Sequence, residues 1–166
     1  MSPQQALLDP SEKVTDYQRR FLELYKSISD ASKELNPLEK KVLGFEEKLR
    51  AGRISRSEAE LLKKDMGRVL ELYEELDKAT KSIHELRKQL PPEALQDEMK
   101  AIDSTIADVY SEWTKTFMKK QGSRTDWERS SYDGILGGLV FAEQKLRNFK
   151  EGREAEKNAG LPEHLG

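Results

Sequence analysis

The side chains that could do chemistry here are few and poorly matched to one another. His84 and His164 are the only imidazoles. No glutamate precedes His84 by three residues, so the Glu-x-x-His pairing that builds di-iron sites in helical bundles is missing. The His-Glu-x-x-His pattern of zinc hydrolases is missing too. There is no cysteine, which removes disulfides, thiolate metal sites and a thiol nucleophile. Carboxylates recur at helical spacing, as in Glu71/Glu74 and Asp108/Glu112, but lysines nearby make ion pairs their plain use. Neither a Gly-x-Ser-x-Gly elbow nor a phosphate-cradling loop occurs, and Gly137-Gly138 alone is too weak a signal for one. Without a matched acid, base, nucleophile or metal set, the expectation is a protein that is not an enzyme and carries no cofactor or metal.

What remains distinctive lies in one segment, DWERSSYDGILGGLVFAEQKLRNF, from Asp126 onward. Ser130, Gly134, Gly138 and Ala142 are spaced by four and form a stripe of small residues on one helical face. A glycine inside a helix costs about 1 kcal/mol relative to alanine, so close approach of another backbone should offset it. That backbone belongs either to the protein's own bundle or to a partner helix; a third reading has the glycines break the helix near 134–138. Trp127, Tyr132, Ile135, Leu136, Leu139, Val140 and Phe141 cover more than one face, as in a helix that is central to a bundle or covered by a partner. The expected partner-binding set is Trp127, Gly134, Ile135, Gly138, Leu139 and Phe141. The preceding loop is locally basic, with Lys119, Lys120, Arg124 and Arg129 able to grip phosphate or an acidic partner, although Asp126 and Glu128 dilute the field.

These residues need a scaffold, and the apolar spacing supplies one. From Val14 the stripe falls at Tyr17, Phe21, Leu24, Ile28, Ala31 and Leu35 in alternating steps of three and four, a heptad seam. Asn36-Pro37-Leu38-Glu39 reads as a cap, a first-turn proline and a capping glutamate, so a kink or a new helix is expected there. The seam nevertheless continues in phase through Leu38, Val42, Phe45 and Leu49. Gly52 suits the left-handed residue that ends a helix, and Ser55 with Glu58 has capping-box spacing, so the chain should reverse at 52–55. The next stripe runs Leu62, Met66, Val69, Tyr73, Leu76, Thr80, Ile83 and Leu90, widened by Leu72 and Leu86, and stops at Pro91-Pro92. The second proline should open a third helix with Leu95, Met99, Ile102, Ile106, Val109, Trp113 and Phe117 inside. A fourth follows from about Asp126, capped by Thr125 or Ser123.

The predicted fold is all-α: an elongated antiparallel bundle of three long helices plus a glycine-containing fourth, with coiled-coil-like heptad packing. Residues 1–10 should be a flexible arm, 11–150 a single domain and 151–166 a flexible tail. The periodicity resembles that of spectrin-like and SNARE N-terminal three-helix bundles, a likeness of architecture that implies nothing about activity.

With 29 basic and 31 acidic residues the chain lacks the excess cation that drives phosphate binding, which argues against nucleic acid as a partner. The longest apolar run, ILGGLVFA, is too short to span a bilayer. The missing cysteines and secretory signal fit an intracellular, cytoplasmic protein. The expected function is a protein–protein interaction module, an adaptor, scaffold or inhibitory effector, binding another protein through the fourth helix and its preceding loop. A homodimer is one arrangement of the seams. Peripheral membrane-surface or nucleic-acid binding is the alternative.

Overall fold

The computed structural model describes residues 15–158. The proposed flexible arm at 1–10, and the tail beyond 158, lie outside the described residues. Four helices follow one another: α1 (Asp16–Arg50), α2 (Arg56–Gln89), α3 (Ala94–Gln121) and α4 (Asp126–Asn158). At 1.5 Å per residue, the 35 residues of α1 span about 52 Å. Antiparallel pairing is fixed by cross-links of opposed register, such as Lys48 with Glu58 and Glu34 with Arg68 between α1 and α2. Lys120 with Asp133, and Asp103 with Lys150, do the same for α3 and α4. Helix α1 is the centre, packing on α2, α3 and α4, while α3 also packs on α4.

Local sequence sets the ends. The Thr15 hydroxyl accepts from the Gln18 N–H at 3.1 Å and caps α1. At the other end Gly52 takes φ +65°, the Arg53 N–H donates to the Lys48 carbonyl, and the Gly52 N–H donates to that of Leu49. These two bonds make a Schellman motif. Ser55 and Glu58 then exchange the two bonds of a capping box, both 3.1 Å. Thr125 is the cap of α4, accepting from the Glu128 N–H. Helix α3 starts at Ala94, two residues after Pro92, without a side-chain cap.

Helix α1 runs unbroken through Pro37, so Asn36 caps nothing. Proline removes the N–H that would have bonded the Lys33 carbonyl and crowds that same oxygen, at a cost of about 3 kcal/mol. Helix α4 sits directly against this point: a Cβ on Gly138 would lie 2.1 Å from the Lys33 oxygen and 3.2 Å from Pro37 Cδ. A Cα hydrogen of Gly138 therefore points at the carbonyl that proline left unpaired, a weak C–H···O contact. Helix α4 is likewise continuous across its glycines.

The core differs from the predicted stripes on both α1 and α2, and on α1 the seam residues Tyr17 and Leu49 are exposed. On α2 the buried positions are Leu62, Asp65, Leu72, Leu76, Ala79, Ile83 and Leu86, with Val69 half-buried. This strict heptad includes Asp65 and Ala79 and leaves Met66 and Tyr73 exposed. Because α1 is surrounded, it has a second buried face at Tyr25, Ser29 and Ser32 beside the apolar one. The small serines leave room for neighbouring helices there. Finally, α4 does not fray after Phe149 but continues to Asn158, with Arg153 buried.

Candidate interaction surface

One buried polar cluster joins all four helices. Glu98 of α3 has no exposed surface. Its Oε1 accepts from the Tyr25 hydroxyl of α1 at 2.6 Å and from Arg87 Nε of α2 at 2.8 Å. Its Oε2 accepts from Arg153 Nε of α4 at 2.9 Å. Arg153 also pairs with Glu156, and the Tyr25 ring meets Phe149 edge-on at 5.6 Å. Burial, reinforced by the Glu98 charge, pushes the Tyr25 hydroxyl well above its ordinary pKa. Burial works to lower the Arg87 guanidinium, but its hydrogen bonds and charge contact with Glu98 outweigh that and raise it. The cavity beside Glu98, Arg87 and Arg153 holds only about 30 Å³, although Arg153 also borders a cleft of about 320 Å³ with Leu95, Met99 and Lys157. The cluster's donors and acceptors are spent on one another, so it acts as an internal tie.

The buried core occupies only one half of the bundle. Past Leu35 on α1, past Val109 on α3 and before Leu136 on α4, no described residue is buried, and on α2 only Leu62 and Asp65 are buried before Leu72. Beyond the level where Pro37 meets Gly134, the ion pairs between helices among the described residues join α1 to α2 or α3 to α4, while Lys33–Glu112 at 3.0 Å ties α1 to α3 at the boundary itself. Lys41–Asp65 at 3.1 Å and Lys120–Asp133 at 2.6 Å are examples. The unfinished half thus consists of two helical hairpins, residues 38–70 and 110–135. Apolar side chains stay open on both: Leu43 and Leu70 on the first, Met118 and Trp127 on the second. Where the hairpins leave the core, a groove of about 420 Å³ is lined by Pro37, Leu38, Ile135 and Leu139, with Lys33, Glu34, Lys41 and Glu112 at its edge.

The predicted partner-binding residues divide across this surface. Trp127 is 79% exposed near the start of α4 and Ile135 is 47% exposed on the groove. Phe141 and Gly134 are half-buried. Gly138 and Leu139 are buried, the former committed to α1. The small-residue stripe therefore serves the bundle's own packing at Gly138, and the open part of the set is Trp127 and Ile135, with one edge of Leu139 on the groove. Of the basic loop, Lys120 pairs with Asp133 and Arg129 with Asp126. Lys119 and Arg124 are exposed with no carboxylate within 4 Å among the described residues. Sequence reasoning missed Tyr25, Glu98, Arg87 and Arg153; the only trace of them is a charge falling in phase with an apolar stripe, as Glu98 does beside Ile102. Among the described residues no group of three or more His, Asp or Glu is placed to hold a metal ion, and no helix is long and apolar enough to cross a membrane.

Comparison with protein-family models, curated proteins and solved structures finds no match.

Proposed function

We propose that the protein is a non-enzymatic protein–protein interaction module, a helical-bundle adaptor, scaffold or effector. It docks its partner on the hairpin half of the bundle, around Trp127, Ile135 and the groove beside Leu139. The observation that carries this reading is the early end of the core: four helices continue past it with apolar side chains uncovered on both hairpins. Large exposed apolar side chains grouped at one end of a molecule mark association surfaces, and tryptophan is enriched among the residues that dominate binding.

The test is site-specific photocrosslinking of the whole chain in the cells that make it. A benzophenone side chain replaces Trp127 or Ile135 in two proteins, and Glu151 in a control. Discrete heavier adducts at 127 and 135, with none at 151, are expected. The same pattern at all three positions, or adducts at none, would overturn the reading. An adduct of twice the chain mass, with a matching dimer by light scattering, would identify the partner as a second copy.

A further inference from the structure

We infer that the partner element received by the hairpin half is an acidic amphipathic helix. This rests on the docking reading above and specifies its chemistry. Charge is unevenly distributed along the chain. Residues 38–70 carry nine Lys and Arg against six Asp and Glu, and residues 110–135 carry five against four. Residues 71–109 have the opposite balance, with ten acids against five bases. The imbalance is sharper after internal pairing. In the hairpin half Lys41, Lys48, Arg68 and Lys120 are matched by carboxylates of their own hairpin or of the adjoining α1. Lys63, Lys64, Lys115, Lys119 and Arg124 have no carboxylate within 4 Å among the described residues, and all five are exposed. Fewer acids there lack a cation: Asp65, Glu58, Glu60, Asp133 and Asp126 are paired, Glu39 and Glu128 accept only from the Tyr73 hydroxyl and the Arg124 N–H, and Glu46 and Glu47 have no cation within 4 Å among the described residues.

The same surface therefore holds uncovered leucine, methionine and tryptophan beside cations without counterions. A ligand that satisfies both needs an apolar stripe and flanking carboxylates. A helix offers these on adjacent faces, and a groove lined by Pro37, Leu38, Ile135 and Leu139 accepts such a stripe better than a flat surface does. A lipid surface or a nucleic acid would meet the charge, but neither presents a ridge that fits a groove between helices.

Titration of the intact protein with a designed peptide tests this. The peptide is a helix of about three heptads with leucine at the two inward positions and glutamate outside. A second peptide carries lysine in place of glutamate, and a third carries neutral glutamine. The expected result is binding of the acidic peptide alone in the micromolar range, with a blue shift of the Trp127 emission that Trp127→Phe abolishes. Lys63→Glu combined with Lys64→Glu should weaken it about tenfold, whereas Lys26→Glu with Lys145→Glu, outside the hairpins, should not. If all three peptides bind equally, docking stands and the acidic requirement is refuted. If none binds, and vesicles of phosphatidylserine and phosphatidylcholine or duplex DNA shift Trp127 instead, the inference is refuted in favour of an anionic surface. If nothing shifts Trp127, and photocrosslinking also fails, the docking reading itself falls.

Discussion

Gly138 shows how much a single missing methyl can decide. Its Cβ would meet a carbonyl oxygen of another helix at 2.1 Å, a backbone atom that cannot step aside. Gly134, one turn away on the same stripe, has Pro37 Cβ at 3.9 Å as its nearest neighbour, an ordinary contact. The two glycines look equivalent in the sequence and should behave oppositely. Gly138→Ala is expected to lower stability by about 1–3 kcal/mol through overpacking. Gly134→Ala is expected to leave stability unchanged or raise it by up to about 1 kcal/mol through helix propensity. Urea midpoints of the two variants check this; equal midpoints would refute the close approach. Close backbone approach was legible at this stripe because it needs a run of small residues. Which glycine made it was not, because that depends on Pro37, about 100 residues earlier in the chain.

At the scale of elements, the turns were the most legible part. The Gly52 termination, the Ser55/Glu58 box and the Thr125 cap each depend on atoms within six residues, so local spacing suffices to find them. The uninterrupted course of α1 was not legible, since the local rule for proline was overridden by α4. The heptad of α2 was blurred for a related reason. Asp65 occupies a core position because Lys41 of α1 supplies its counterion, and Met66 and Tyr73 were more apolar decoys one residue along. The α1–α2 turn also carries a pH signature. Hydrogen bonds from Lys48, and then from the Ser55 backbone and side chain, lower Glu58 from its ordinary 4.5 to about 2. A carboxylate held below its unfolded value contributes stability that is complete above about 4.5 and fades as pH falls toward 2. Thermal melts of the protein and of Glu58→Gln should therefore converge between those two pH values. A gap that stays constant across the window would show that the box does not act through the charge of Glu58.

For the whole molecule, the Glu98 cluster matters most because among the described residues it is where every helix is answerable to the others. Glu98→Gln keeps the shape but removes the charge facing two guanidinium groups, leaving Arg87 and Arg153 buried without full compensation. Breaking a buried pair in this way costs about 3–5 kcal/mol, so the variant should unfold at markedly lower urea or fail to accumulate. A loss of under about 1 kcal/mol, the range of surface pairs, would show that water already reaches the site. Composition and periodicity foretold the class of fold and the antiparallel order. They did not foretell the cluster, two of whose three partners lie 55 and 73 residues from Glu98, nor the point at which the core stops.

The position of Arg153 bears on how the chain is made. A ribosome delivers Tyr25, Arg87 and Glu98 long before it delivers residue 153, and until then Glu98 has one of its two arginines and one oxygen unanswered. A nascent or prematurely terminated chain therefore cannot close its centre. Completion of the fold is deferred until the last turns of α4 have been made, and any product cut short before them carries an internal charge fault that exposes it to quality control.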